Sequence, residues 1–133
     1  MRSRFASASV ARLATVGADG RPHIVPVCFV IDEQTLYFAV DAKPKRTTNL
    51  KRLRNIAANP AVSILVDHYE DDWSALWWVR VDGDAMVVSV DAEDGRLGLS
   101  ALAAKYPQYA AQAPPGPLIR IVVDNWTSWS SRD

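Results

Sequence analysis

The chain has 133 residues and a single cysteine, Cys28, so no intrachain disulfide can form. A lone cysteine in an apolar run reads as a small buried hydrophobe and fits a reducing, cytoplasmic setting. Excess charge is also missing. Fifteen basic residues balance fifteen acidic ones, so the protein as a whole has no pull toward nucleic acid or an anionic membrane. Any anion site must come from local clustering. No apolar run approaches a membrane span. The first residues, MRSRFASASVARL, are basic but lack the apolar region of a signal peptide, and they read as a helix. There are two histidines, His23 and His68. They are not spaced as a ligand pair, so no metal site is expected. Glu70-Asp71-Asp72 lacks the pattern of a calcium loop. Neither Gly-x-Gly-x-x-Gly nor a P-loop occurs. Ser63, Ser74 and Ser89 have no evident His–Asp partner system, which disfavours serine hydrolysis.

What is present is ordinary soluble globular composition, 49% hydrophobic and 23% charged, in a length that suits one domain over residues 1–133. Residues 3–9 suggest a short helix with Ser3 at its N-cap. Val10 to Val16 reads as a strand, and Gly17-Ala18-Asp19-Gly20 as a hairpin turn. His23 to Ile31 is the return strand, and Thr35 to Val40 a third strand after the turn at Asp32-Glu33-Gln34. Leu50, Leu53, Ile56 and Ala57 recur at helical spacing, which predicts a helix over 44–58, with Pro44 in its first turn and Asn59-Pro60 ending it. Ala61 to Asp67 is a strand, and Ala75 to Val90 a long one, broken near Asp82-Gly83. Asp91 is the N-cap of a helix reaching Lys105. A proline-rich loop, 112–117, leads to a last strand, Leu118 to Val123. Short turns between consecutive strands favour a mainly β fold, an antiparallel barrel of six or seven strands with flanking helices.

One segment concentrates charge. Lys43, Lys45, Arg46, Lys51, Arg52 and Arg54 fall within twelve positions, and no acid lies between Asp41 and Asp67. The segment joins a strand to a helix. That junction supplies free N–H groups, the positive end of the helix dipole and charge-assisted donors, with the Thr47 and Thr48 hydroxyls nearby. A phosphate grip and a solvated basic helix face both fit this pattern. Nucleic acid fits poorly, because aromatics are not interleaved with the charges.

Four pieces in order carry a family resemblance: Ala14-Thr15-Val16-Gly17-Ala18-Asp19-Gly20-Arg21-Pro22-His23-Ile24-Val25-Pro26-Val27; Lys43-Pro44-Lys45-Arg46-Thr47-Thr48-Asn49-Leu50; Asn59-Pro60-Ala61-Val62-Ser63-Ile64-Leu65-Val66-Asp67; and Trp78-Val79-Arg80-Val81-Asp82-Gly83. Together they resemble the pyridoxamine 5′-phosphate oxidase-like superfamily of flavin-binding split β-barrels. Asp67-His68-Tyr69 and Lys105-Tyr106-Pro107-Gln108-Tyr109 resemble its actinobacterial group of coenzyme F420-dependent enzymes.

The resemblance implies a homodimer with two cofactor sites at the interface. It implies an F420-dependent oxidoreductase, or alternatively an FMN enzyme or a non-catalytic F420 carrier. The strand from His23 through Val25, Pro26 and Val27 would lie against the ring. Lys43, Lys45, Arg46, Thr47 and Asn49 would hold the phosphate, and Arg52, with Lys51 and Arg54, would reach the acidic tail of the deazaflavin. Trp78 would neighbour the cofactor, while the other tryptophans suit core or interface. The chain lacks the further substrate-phosphate and C-terminal arginine motifs of the true oxidases, which argues against oxidation of pyridoxamine phosphate. No residue is singled out as a catalytic acid or base.

Overall fold

The computed structural model describes residues 1–40 and 46–132; for residues 46–50 it describes the backbone alone. A short helix, α1 (Arg2–Ser7), precedes β1 (Ala11–Val16), β2 (Pro22–Val27), β3 (Val30–Asp32) and β4 (Thr35–Ala39). Then come α2 (Arg46–Ala58), β5 (Ala61–His68), a 3₁₀ turn at Trp73–Ala75 and β6 (Trp77–Val88). The chain continues through α3 (Glu93–Lys105), α4 (Pro107–Ala111) and β7 (Leu118–Ser130). No described helix is long and apolar enough to cross a membrane.

The seven strands form one antiparallel sheet in the order β2-β1-β5-β6-β7-β4-β3. Alternation decides its faces. Leu13, Ile64, Val79, Val81, Ile119 and Ile121 point inward, where they join Phe5, Phe29 and Phe38 in the main core. A smaller cluster of Tyr37, Val88, Leu102 and Leu118 seats α3. The β1–β2 turn closes with Gly20 at φ 79°, which only glycine adopts freely, and with Asp19 Oδ1 accepting from the Arg21 N–H at 3.1 Å.

The expected break near Asp82-Gly83 is a register shift in the β6–β7 pairing. At Gly83 an added Cβ would lie 2.2 Å from the Val122 carbonyl oxygen, so the close approach of β7 requires glycine.

Four expectations need correction. The return strand expected over His23–Ile31 is two strands. β2 pairs with β1, whereas β3 pairs with β4 at the far edge of the sheet. Cys28, at the crossing between them, is exposed and not buried. α3 starts at Glu93 without a side-chain cap, so Asp91 does not cap it; the Asp91 N–H is instead taken by Ser89 Oγ at 3.1 Å. α1 is capped at Met1 and not at Ser3. Beyond these, β7 runs on through Trp126 and Trp129 to Ser130, and the helix α4 was not foreseen.

A buried polar pair docks α2 under the sheet. Asn55 Nδ2 donates to Thr15 Oγ1 at 3.1 Å, and both side chains are buried. Thr15→Val keeps the shape but strands the amide, so unfolding in urea should show a loss of about 1–3 kcal/mol. An unchanged midpoint would mean the pair contributes nothing.

Candidate functional site

β2 is an edge strand, bonded to β1 alone. The far end of that edge borders a cleft of about 260 Å³, lined by Val10, Pro26, Val27, Cys28, Ala39, Arg52 and Tyr109. Five elements or their flanks supply it. Val10 stands just before β1, Pro26 and Val27 end β2, Ala39 ends β4, and Arg52 lies midway along α2. Tyr109 comes from α4. Among the described lining residues, Val10, Pro26, Val27 and Ala39 make an apolar wall and Arg52 brings the positive charge. Such a cleft suits a flat apolar ring joined to an anion.

The structure therefore brings three predicted residues together, Pro26, Val27 and Arg52. His23 and Val25 lie further along the same strand, paired in register with Thr15 and Leu13. Both are half-buried, and His23 Nδ1 is buried without a hydrogen-bond partner among the described residues. Arg46, Thr47 and Asn49 lie in the first turn of α2, where helix N–H groups lack intrahelical acceptors. Lys43 and Lys45 lie outside the described residues. Sequence reasoning did not place Val10, Cys28, Ala39 or Tyr109 in the cleft. Only Tyr109 carried a signal, through the Lys105–Tyr109 stretch.

Trp78 lies elsewhere. It sits on the outer face of the sheet in a cavity of about 430 Å³ with Arg12, Ile24, Leu65, Tyr69 and Arg80 among its lining. Beside that cavity Asp82 accepts from Ser63 Oγ at 2.6 Å and Asn125 Nδ2 at 3.1 Å, with Arg80 Nε 3.1 Å away. Partial burial alone would raise the Asp82 pKa. The two hydrogen bonds and the Arg80 charge outweigh it, so the carboxyl sits below its ordinary 3.8.

The sign follows directly. A depressed carboxyl contributes stability above about pH 3.8, and that contribution is lost as pH falls through the folded-state value. Asp82→Asn should thus be destabilised at pH 6, by on the order of 1 kcal/mol, and the difference from the parent should shrink as pH falls through the folded-state value. Parallel stability curves would refute this.

The family model for pyridoxamine 5′-phosphate oxidase matches residues 1–130. The chain belongs to that family. A 5a,11a-dehydrotetracycline/5a,11a-dehydrooxytetracycline reductase of Streptomyces rimosus is 43% identical over 56 residues. That match spans 42% of this chain and 38% of the reductase, well short of its full length. A heme storage protein of Vibrio cholerae superposes with a TM-score of 0.73 at 21% identity, covering 97% of this chain and 89% of the other. A FAD-binding protein of Mesorhizobium loti gives 0.71 at 22% identity, covering 96% and 87%. At these identities the two structures carry the fold, a split barrel.

Proposed function

We propose that this family member is a coenzyme F420-dependent oxidoreductase. Its substrate would be a small conjugated organic molecule. The observation that carries the reading is the cleft in which the edge-strand residues Pro26 and Val27 meet the Arg52 guanidinium. The residues present fit the cofactor: an apolar wall for the deazaflavin ring, and a cation for its anionic side. When bound, the deazaflavin supplies the hydride chemistry.

The chain's own task is to bind, orient and exclude water. Val10, Pro26, Val27 and Ala39 cover the ring, and the β2 edge holds it through main-chain groups. His23 and Val25 continue that edge. Arg52 takes the anionic tail, and Lys43, Lys45, Arg46, Thr47 and Asn49 take the phosphate. No side-chain acid or base is required. The Streptomyces reductase, whose name records reduction of a dehydrotetracycline, supports a conjugated acceptor.

The protein works as a homodimer. Ile24 and Tyr69 on the outer face are 66% and 61% exposed, which is costly for large side chains in a lone protomer. Sedimentation at micromolar concentration should give twice 14.7 kDa; a protomer mass would overturn the dimer.

The cofactor reading is tested by titrating the purified protein with the deazaflavin and with FMN, following absorbance and fluorescence. Tighter binding of the deazaflavin, weakened by Lys45→Ala/Arg46→Ala, is expected. Preference for FMN would favour a flavin enzyme, a reading that the Mesorhizobium FAD-binding protein supports. No binding of either at high micromolar concentration would sink both. Turnover on enones, quinones and nitroaromatics then separates an enzyme from a carrier. The carrier reading draws on the Vibrio heme storage protein, and tight binding without turnover would favour it.

A further inference from the structure

Two adjacent side chains at the end of α3 hold the crossing from one edge of the sheet to the other. Lys105 Nζ donates to the Phe29 carbonyl at 2.8 Å and to the Ala6 carbonyl at 3.1 Å. It also stands 3.9 Å from the centroid of the Phe29 ring, a cation–π contact. The Tyr106 hydroxyl accepts from the Phe29 N–H at 2.9 Å, and its oxygen lies 2.9 Å from both the Ser9 and Phe29 carbonyls. A hydroxyl has one proton to give. Lys105 already serves the Phe29 carbonyl, so donation from Tyr106 to Ser9 leaves every group satisfied.

Placing a lysine here is costly. Burial lowers the Lys105 pKa from its ordinary 10.5, and the negative charge of an ionised Cys28 would offset part of that.

Apart from Ala6, each partner of the pair is one step from the cleft. Phe29 adjoins Cys28, Ser9 adjoins Val10, and the Tyr106 ring meets Tyr109 edge-on at 5.7 Å and 71°. Cys28, Val10 and Tyr109 are all lining residues. Three wall segments, far apart in sequence, thus converge on two side chains that do not themselves line the cleft.

We propose that Lys105 and Tyr106 are positioning residues that hold the cofactor cleft in its binding shape before the cofactor arrives. This rests on the cleft being the cofactor site as proposed above. It also has a readout that needs no cofactor. Cys28 is the one cysteine and is exposed, so its rate of reaction with an aromatic disulfide reagent reports the shape of the crossing.

Tyr106→Phe removes the hydroxyl and keeps the ring contact with Tyr109. In cofactor-free protein it should change the Cys28 rate by at least about threefold, and it should raise the Kd for the deazaflavin or FMN about tenfold. Ile121→Val, in the core, is the control for a general loss of stability. It should lower Tm while leaving the Cys28 rate and the Kd unchanged.

If Tyr106→Phe merely lowers Tm, as the control does, the proposal is overturned. If Tyr106→Phe fails to fold, Lys105→Met, which keeps the aliphatic stem, takes its place, with the Cys28 rate compared at pH values where the thiol is fully ionised, because the Lys105 charge itself acts on Cys28. If the parent protein binds neither cofactor, the reading of the cleft falls, and the Cys28 rate still decides. A changed rate upholds the positioning role and an unchanged rate ends it.

Discussion

Gly95→Ala should destabilise the protein by more than about 3 kcal/mol, beyond the usual range for overpacking. An added Cβ would sit 1.8 Å from the Ser89 carbonyl oxygen, 2.7 Å from its carbon and 2.9 Å from Val90 Cα. All three are backbone atoms, in the segment that leaves β6 and enters α3. They cannot rotate away as a side chain can. Alanine in a helix is worth up to about 1 kcal/mol over glycine, which is too little to offset the clash.

Gly98, one turn on, is the informative comparison. There the Cβ would meet the Tyr37 ring at 2.6 Å and Leu118 Cδ1 at 2.8 Å, both side-chain atoms that can shift. Gly98→Ala should therefore lose only about 1–3 kcal/mol. Urea unfolding of both variants checks the order. A Gly95→Ala protein within 1 kcal/mol of the parent would mean that α3 does not approach Ser89 and Val90 this closely. Because α3 ends in Lys105 and Tyr106, a displaced α3 would also disturb the cleft.

Where local pattern and final structure part company, a distant contact is the reason. The strand expected from His23 to Ile31 is interrupted only by Pro26, and no glycine or turn residue marks the change at Cys28 and Phe29. At that point Lys105 and Tyr106 take both main-chain groups of Phe29 from 76 and 77 positions away, so Phe29 has no strand partner for them. The end of β7 was hidden for another reason. Asp124 and Asn125 look like a turn, but β6 is long enough to pair with the strand as far as Ser130. Conversely, the bulge at Asp82-Gly83 was legible because glycine signals it directly.

The cleft was half legible. Pro26, Val27 and Arg52 follow from the order of motifs. Val10, Ala39 and Tyr109 join them only once the sheet is folded, since each comes from a different element. Lys43 and Lys45 remain expectations drawn from charge and resemblance.

Arg52→Ala should raise the Kd for the deazaflavin by about 10- to 100-fold, or about 1.4–2.7 kcal/mol, the worth of one or two charge-assisted hydrogen bonds. Arg52 is half-buried in the cleft, whereas Arg54, two residues on, is exposed. Arg54→Ala should therefore change the Kd by less than about threefold, as expected of a charge in solvent. Arg52→Lys keeps the charge and loses the planar fork, so it should recover part of the affinity and not all of it.

Salt separates this effect from a packing defect. If Arg52 acts through charge, the advantage of the parent over Arg52→Ala should shrink as ionic strength rises. A packing defect would leave the ratio constant. The ligand comparison goes further. An arginine that contacts the acidic tail should matter more for the deazaflavin than for FMN, which has no such tail. Equal losses for both would move Arg52 from the tail to the shared phosphate. No loss for either would remove the charge from the binding argument and leave the cleft with its apolar wall alone.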